Sequence, residues 1–146
     1  MKNVLVLLLM MFFALIGSVS AQDSEQAAVR LPLENYIQAH ATGDPEFARK
    51  AFYTEGYMTY IRDGKYVSET FDAFIKRAFT GTPAADEAQR KSGRKIETVD
   101  INGNAAVAKI VLDYPTVKFV DYMTLLKING EWKIVNKSFF AERKTQ

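Results

Sequence analysis

The residue types best suited to chemistry lie near the C-terminus of the 146-residue chain. Asp121 belongs to one β-rich segment, and Asn136 and Ser138 belong to the next. The dipeptide Asn129-Gly130 between these segments favours a type I′ hairpin turn, because both central residues of that turn need a positive φ. With this turn, Asp121 faces Ser138 and shares one side of the sheet with Asn136. A carboxylate beside two small polar groups on an otherwise apolar face predicts the floor of a pocket.

The same turn sets the register of the whole hairpin. The expected pairs are Met123 with Asn136, Leu125 with Ile134, Lys127 with Trp132, and, on the opposite side, Tyr122 with Lys137. The pocket side then also carries Met123, Leu125, Trp132, Ile134 and Phe140. The opposite side carries Tyr122, Thr124, Val135 and Phe139, and we expect it to form the sheet-to-sheet interface of a homodimer.

Asp121 is the leading candidate for a general base. A carboxylate on an apolar face is costly unless it is hydrogen-bonded, and burial raises its pKa toward the range useful in proton transfer. The alternative is a structural role, in which Ser138, Asn136 or backbone groups satisfy the carboxylate without any chemistry.

His40, the single histidine of the chain, is the second candidate. It shares a helical face with Leu33, Tyr36 and Ile37, so it is expected to point inward. An inward histidine suits a proton shuttle or a ligand contact, although a hydrogen-bonded core role fits the same position. One histidine and no cysteine give no zinc-ligand spacing, and no metal is expected.

Tyrosines supply candidate stacking surfaces for a flat heteroaromatic ligand. Tyr36, Tyr57 and Tyr60 are predicted to bind such a ligand together with His40, Asp121 and the two small polar residues of the hairpin. The alternative is that these aromatic side chains belong to the hydrophobic core.

The N-terminus has the pattern of a secretory signal peptide. Lys2 precedes an apolar run from Val4 to Ile16, and small residues lead to Ala21. Cleavage after Ala21 would leave a single domain, residues 22–146, in the periplasm or outside the cell; an uncleaved membrane anchor is the alternative. The 19 basic and 17 acidic residues give no argument for binding nucleic acid, or a membrane once the leader is removed.

The remaining pattern predicts an α+β domain. Helical spacing appears from Leu33 to Ala41, after Asp44-Pro45, and from Phe71 to Phe79. A tight turn at Asp63-Gly64 predicts an early hairpin, and residues 80–92 form a loop. Four consecutive antiparallel strands are expected from residue 95 onward. Helices on one face of such a sheet predict a curved cone with an open mouth.

This order of elements resembles the nuclear transport factor 2-like superfamily, which includes ketosteroid isomerase and SnoaL-like cyclases. Its "putative lumazine-binding" branch of small bacterial proteins is similar over nearly all of the mature chain, in the stretches 40–44, 51–52, 61–65, 102–109, 112–115, 121–127 and 130–137. The resemblance implies a cone-shaped antiparallel sheet packed on three helices. It carries over no ligand-contacting residues, and the superfamily's isomerase pattern of a base with paired oxyanion donors is not reproduced.

Three functions remain open at this point. The first is an exported, non-catalytic module that holds a small molecule in the cone. The second is a cofactor-independent isomerase, cyclase or hydratase-like enzyme, with Asp121 as base and His40 or a tyrosine as partner. The third is an assembly domain that uses its exposed sheet. No cofactor is expected for any of them.

Overall fold

The computed structural model describes residues 2–145, with side chains described for residues 22–145. The first element is helix α1, Lys2–Thr42. Signal-peptide side chains and the junction at Ala21 lie outside the described side chains, so cleavage stays a prediction. Pro32 lies inside α1 rather than in its first turn. Within residues 22–145, no helix combines the length and apolar character needed to cross a membrane.

Two short helices follow the pattern expected from their caps. Helix α2, Pro45–Ala51, begins after Asp44, whose carboxylate accepts a hydrogen bond from the Glu46 backbone N–H. Helix α3, Phe71–Ala78, begins after Thr70, whose hydroxyl caps the Ala73 N–H. The segment predicted as a loop contains one more helical turn, α4, Glu87–Arg90, followed by a 3₁₀ turn, Lys91–Gly93.

Six strands form one curved, unclosed sheet. They are β1, Phe52–Arg62; β2, Lys65–Thr70; β3, Arg94–Asn102; β4, Ala105–Asp113; β5, Val117–Ile128; and β6, Glu131–Arg143. The strand order is β2-β1-β6-β5-β4-β3. All neighbours are antiparallel except β1 and β6, which run parallel. The predicted α+β architecture is confirmed; the parallel pairing of β1 with β6 was not predicted.

Both tight turns form as the sequence indicates. Asp63 and Gly64 have φ values of 50° and 72°, and Asn129 and Gly130 have φ values of 52° and 86°. These positive angles at both central residues are the signature of a type I′ turn. The turn pairs Leu125 with Ile134, as predicted.

The predicted register fails beyond that pair, because a β-bulge shifts it by one residue. Thr124 pairs with Asn136, so Val135 is the extra residue on β6. Beyond the bulge, the observed pairs are Met123 with Lys137, Tyr122 with Ser138 and Asp121 with Phe139. Since a one-residue slip turns each side chain to the other face, Lys137 and Phe139 point inward, and Asn136, Ser138 and Phe140 point outward.

The core lies between the helices and the concave face of the sheet. Its largest fully buried side chains include Leu33 and Tyr36 from α1, Phe71 from α3, and Met123 and Ile134 from the long hairpin. Two charged residues, Asp121 and Lys137, are buried in this otherwise apolar layer. They mark the inner end of the cone's interior.

Candidate small-molecule site

A cavity of about 860 Å³ occupies the interior of the cone. This volume is in the range of pockets that bind small organic molecules. Aromatic rings from α1, α3 and the three strands β1, β5 and β6 form much of its wall: Tyr36, Tyr60, Phe74, Phe119 and Phe139, with the His40 imidazole. The wall therefore offers flat apolar surfaces to a ring-bearing ligand.

Lys137 lines the cavity at its buried end. It is 4% exposed, and its Nζ lies 3.1 Å from Oδ1 of Asp121, which is 0% exposed. The other carboxylate oxygen, Oδ2, accepts a hydrogen bond from the Tyr36 hydroxyl at 2.6 Å. A buried carboxylate is thus held between an ammonium and a phenol, one partner on each oxygen.

Burial is the largest cause of the pKa shifts of both partners of Asp121, Lys137 and Tyr36. It lowers the pKa of Lys137 below its usual value, and the charge and hydrogen bond of Asp121 oppose that shift. It raises the pKa of Tyr36 well above its usual value, with a further rise from the Asp121 charge. Tyr36 therefore remains a neutral donor, while Lys137 gives up its proton more readily than a surface lysine does.

Three aromatic rings surround the Lys137 ammonium. Its Nζ lies 4.5 Å from the centre of the Phe139 ring, 5.3 Å from that of Phe74 and 5.4 Å from that of Tyr36. The Met58 Sδ lies 3.9 Å from the same nitrogen. These soft contacts partly replace the hydration that Lys137 loses.

His40 also lines the cavity, and its Nε2 is a buried polar atom without a hydrogen-bond partner within residues 22–145. Burial, together with smaller effects from the charges of Lys137, Arg94 and Arg90, lowers its pKa from 6.5 to about 3. The imidazole is therefore neutral at physiological pH. Because an unsatisfied buried nitrogen is costly, Nε2 is a ready contact for a polar atom of a ligand.

Arg94 fixes the end of α1 that carries His40. Its guanidinium donates to the His40 backbone oxygen at 3.2 Å and to Oε1 of Glu87 at 2.7 Å. The Tyr114 hydroxyl lies 3.2 Å from Nε of the same guanidinium. Helix α4 is thereby tied to α1 across one side of the cone.

Cations predominate at the mouth of the cavity. Arg77 is held by two hydrogen bonds to Glu69, and Lys144 pairs with Asp113. Arg62 and Arg143, in contrast, form no ion pair within residues 22–145, and the Arg62 guanidinium lies 5.1 Å from the centre of the Tyr60 ring. Two unpaired guanidinium groups at an opening favour an anionic ligand.

The predicted site residues separate into two groups. Tyr36, His40 and Tyr60 line the cavity, whereas Asp121 lies behind Lys137 and Tyr36 and is not part of the cavity wall. Tyr57, Asn136 and Ser138 lie outside it. Tyr57 is 48% exposed because it alternates with inward-facing neighbours, and its backbone oxygen accepts a hydrogen bond from Asn136.

Lys137 is the main residue that the sequence analysis missed as a site residue. The hairpin turn alone assigns it to the outer face, and only the bulge at Val135 turns it inward. The sequence holds one signal that bears on the direction of Lys137, namely the adjacent pair Phe139-Phe140. Only one of two adjacent strand residues points into the core, and Lys137 lies on the same side of the strand as Phe139. The observed inward residue is Phe139, and Phe140 is 67% exposed.

Among the side chains of residues 22–145, no group of three or more histidine, cysteine, aspartate or glutamate residues is arranged to hold a metal ion. The polar groups that the cavity offers to a ligand include the Lys137 amine, the neutral imidazole of His40 and the guanidinium groups at the mouth.

Solved structures with the same fold come from several bacteria. A nuclear transport factor 2-like protein of unknown function from Shewanella baltica OS155 is 24% identical, with a TM-score of 0.71 over 83% of this chain and 96% of its own. A similar protein of unknown function from Silicibacter pomeroyi DSS-3 is 23% identical, with a TM-score of 0.69 over 83% of this chain and 98% of its own. These likenesses show the fold.

A relative with a named activity comes from Cladobotryum sp. Aldolase FrzH of Cladobotryum sp is 25% identical over 125 residues, which cover 82% of this chain and 93% of that protein. The match spans almost the whole relative.

The family model described as "Putative lumazine-binding" matches residues 24–140, which include every strand of the sheet except the last three residues of β6. The chain therefore belongs to this family, and its fold is the one seen in nuclear transport factor 2-like proteins.

Proposed function

We propose that this protein binds a small, anionic, ring-bearing molecule inside its cone. The observation that carries the proposal is the composition of the cavity. It has aromatic walls, the guanidinium groups of Arg62 and Arg143 without ion-pair partners at the mouth, and the buried amine of Lys137 at the inner end. Apolar walls with a few fixed polar groups are typical of small-molecule sites. The family's description as lumazine-binding supports a heterocyclic ring in the ligand.

We further propose that the protein acts after export, in the periplasm or outside the cell. The N-terminal pattern of Lys2, an apolar run and small residues up to Ala21 supports cleavage there. N-terminal sequencing of the protein recovered from the exported fraction should begin at Gln22. Recovery of the chain with its N-terminal segment attached would favour the membrane anchor instead.

A homodimer through the outer face of the sheet is also part of this proposal. Several large apolar side chains on that face are exposed, namely Val107, Tyr122, Leu126 and Phe140. Their grouping supports burial against a second copy. Tyr122→Lys should convert a dimer to a monomer in analytical ultracentrifugation, whereas Lys118→Gln, also on β5, should not.

Native mass spectrometry of the protein from its own exported pool tests the binding proposal directly. We expect a defined extra mass that disappears when the chain is denatured. The Arg62→Gln, Arg143→Gln double variant should reduce the occupied fraction, because the anion loses both guanidinium partners. An occupied fraction unchanged in that variant would contradict an anionic ligand held at the mouth.

An enzyme of carbon–carbon bond chemistry is the second candidate function. Two observations support it as the second candidate: the relative named aldolase and the buried amine of Lys137 in the cavity. An isomerase, cyclase or hydratase with Asp121 as direct base is less well supported, since both oxygens of Asp121 already have partners.

Asp121→Asn separates the two functions. In an enzyme, the variant should lose turnover of a carbonyl substrate while the protein still folds and binds. In a binding module, it should change affinity alone. Incubation with deuterated solvent and a ketone, followed by mass analysis of the recovered ketone, reads out proton exchange next to the carbonyl.

A further inference from the structure

Lys137 differs from the other lysines of the described chain in its surroundings. It is the one lysine that is buried within residues 22–145, and it faces a cavity rather than solvent. Its only charged neighbour in contact is Asp121, and its other contacts are aromatic rings and a thioether. An amine in such a place is costly to maintain as a mere packing residue, because an apolar side chain of similar length would fill the same space.

We propose that the Lys137 amine captures an aldehyde or ketone group of the ligand as a protonated imine. This inference rests on the proposed small-molecule site, and it names the ligand's reactive group. In the capture, the amine lone pair attacks the carbonyl carbon, and the carbonyl π electrons move to oxygen. The resulting carbinolamine loses that oxygen as water. An ammonium and a carbonyl thus yield one protonated imine and one water molecule, with no oxidant or reductant.

The proton that the ammonium must lose has an acceptor in place. Oδ1 of Asp121 lies 3.1 Å from Nζ, and the Tyr36 hydroxyl holds the other oxygen so that the carboxylate cannot turn away. Burial lowers the pKa of Lys137, which increases the fraction of free amine at neutral pH. The same contact then places a negative charge beside the cationic imine.

Lys109 provides a matched comparison. It also pairs with a carboxylate, with its Nζ 2.8 Å from Oε2 of Glu97, but on the accessible part of the sheet. There the hydrogen bond and charge of Glu97 raise the pKa of Lys109. Two lysines with the same kind of partner are therefore shifted in opposite directions, and the difference is burial next to the cavity.

The cavity also suits the rest of such a ligand. Arg62, Arg143, the aromatic rings and Lys137 all line this one cavity, so a single ligand can offer a carboxylate to the guanidinium groups, a ring to the aromatic wall and a carbonyl to the amine. His40 Nε2, which has no partner within residues 22–145, is available to the carbonyl or carbinolamine oxygen. An aryl compound with a carboxylate at one end and a carbonyl at the other matches this arrangement.

The test uses the full-length protein with 4-carboxybenzaldehyde and sodium cyanoborohydride at neutral pH, followed by peptide mass mapping. The reductant converts an imine into a stable amine at the lysine that formed it. We expect Lys137 to be labelled at least about tenfold faster than Lys109, since each pKa unit changes the free-amine fraction tenfold. Urea should abolish the difference. Equal rates in the folded protein, or no label at Lys137, would overturn the capture.

The alcohol 4-(hydroxymethyl)benzoate separates failure of the capture from failure of the site. It keeps the ring and carboxylate but has no carbonyl, and its binding is measured by calorimetry. Binding of the alcohol with no Lys137 label from the aldehyde overturns the imine and leaves the proposed site standing. Absence of both overturns the capture and counts against this class of ligand for the site.

Variants provide the remaining controls. Lys137→Arg keeps a cation for Asp121 but cannot form the imine, so the fast label should be lost, whereas Lys109→Met should leave labelling of Lys137 unchanged. Asp121→Asn removes the attraction that keeps Lys137 protonated, so the pH midpoint of labelling should move to lower pH. An unchanged pH midpoint in the variant would show that Asp121 does not influence the protonation of the Lys137 amine.

Discussion

Asp121 and Lys137 form an ion pair in a layer where either charge alone would be strongly unfavourable. Both side chains are almost completely buried, and the Coulomb attraction between them offsets part of their lost hydration. The Tyr36 hydroxyl adds a hydrogen bond that water would otherwise supply. The pair is therefore weak evidence for extra stability, and its position next to the cavity is the more informative property.

A double-mutant cycle measures how far the two charges depend on each other. Asp121→Asn and Lys137→Met should each destabilise the protein by about 3–5 kcal/mol, because each leaves a charge buried without its partner. The double variant should be destabilised by clearly less than the sum, since it buries no charge. Urea denaturation gives the four free energies of unfolding. Additive values would show that the two groups do not interact.

His40 gives the protein a specific dependence on pH. Its pKa in the folded chain is lowered from 6.5 to about 3, so the unfolded chain takes up a proton at a pH where the folded chain does not. The contribution of His40 to the free energy of unfolding should therefore be constant well above pH 6.5 and fall as the pH drops below that value. The expected slope from this group approaches about 1.4 kcal/mol per pH unit.

Urea denaturation at several pH values between 7 and 5 checks this expectation, with His40→Phe as the control. The variant should lose the slope, because its neighbours Tyr36 and Phe79 already form an aromatic environment and no titrating group remains there. His40 is the only histidine in the chain, so no other imidazole contributes in that interval. Equal slopes in the two proteins would mean that folded His40 accepts a proton normally.

At the scale of elements, the long hairpin shows which parts of the strand pairing can be predicted from the sequence and which cannot. The turn at Asn129-Gly130 and the pairing next to it follow from local backbone preference, and both were predicted correctly. The bulge at Val135 has no comparable local signal, because it results from how the sheet curves over α1. Beyond it, the inward residues of β6, Lys137 and Phe139, were assigned to the wrong side, whereas Asp121 and Met123 on β5 were assigned correctly.

The residues that line the cavity were predictable only where the periodicity of a single helix or strand determines which side chains point inward. Tyr36 and His40 were correctly directed inward by the helical period of α1. Tyr57 and Tyr60 are three residues apart on one strand, so alternation puts them on opposite faces, and only Tyr60 lines the cavity. The cations of the mouth come from three strands or helices distant in sequence, and no local pattern links them.

Helix α1 is anchored to the far end of the same hairpin by Glu25. The Glu25 carboxylate accepts hydrogen bonds from Lys127 Nζ, at 2.8 Å from Oε2, and from the Trp132 indole N–H. This contact holds the part of α1 that precedes Pro32 against the hairpin. Helix α1 thus includes residues that precede the helical spacing from Leu33 to Ala41.

Glu25→Gln should loosen this contact, because it removes the negative charge that both donors share. Trp132 is the only tryptophan, so its fluorescence reports on the site without interference. We expect the emission maximum of the variant to shift to longer wavelength as the indole gains contact with water. Glu34→Gln, at an exposed position on the same helix, is the control and should leave the spectrum unchanged. An unshifted spectrum in the Glu25 variant would mean that α1 is held by its apolar face alone.

At the scale of the whole molecule, the fold was predictable because all local signals agree with one architecture. Three amphipathic helices, two hairpins and a meander of strands leave few ways to cover one sheet face. The pairing of β1 with β6 was not predictable, since it joins residues about 79 positions apart and depends on the curvature of the finished sheet.

The distribution of charge gives the molecule a preferred class of ligand. The chain carries almost equal numbers of acidic and basic residues, yet Arg62 and Arg143 at the mouth are unpaired within residues 22–145. The Arg62→Gln, Arg143→Gln double variant should weaken binding of 4-(hydroxymethyl)benzoate by about tenfold or more, with a smaller dependence on salt. Lys95→Gln, an exposed cation elsewhere, is the control. Calorimetry at two salt concentrations measures the three affinities. Equal affinities of the unaltered protein, the double variant and Lys95→Gln for 4-(hydroxymethyl)benzoate would contradict a role for the two arginines in binding.

The central position of β6 has a consequence for the order in which the molecule can be completed. β6 is the last strand to leave the ribosome, yet it lies between β1 and β5 and is the only strand that joins the early hairpin to the meander. A nascent chain that lacks it has two separate ribbons with open edges and no closed cone. The amine of Lys137 and the cavity around it therefore come into existence together, when β6 takes its place between β1 and β5.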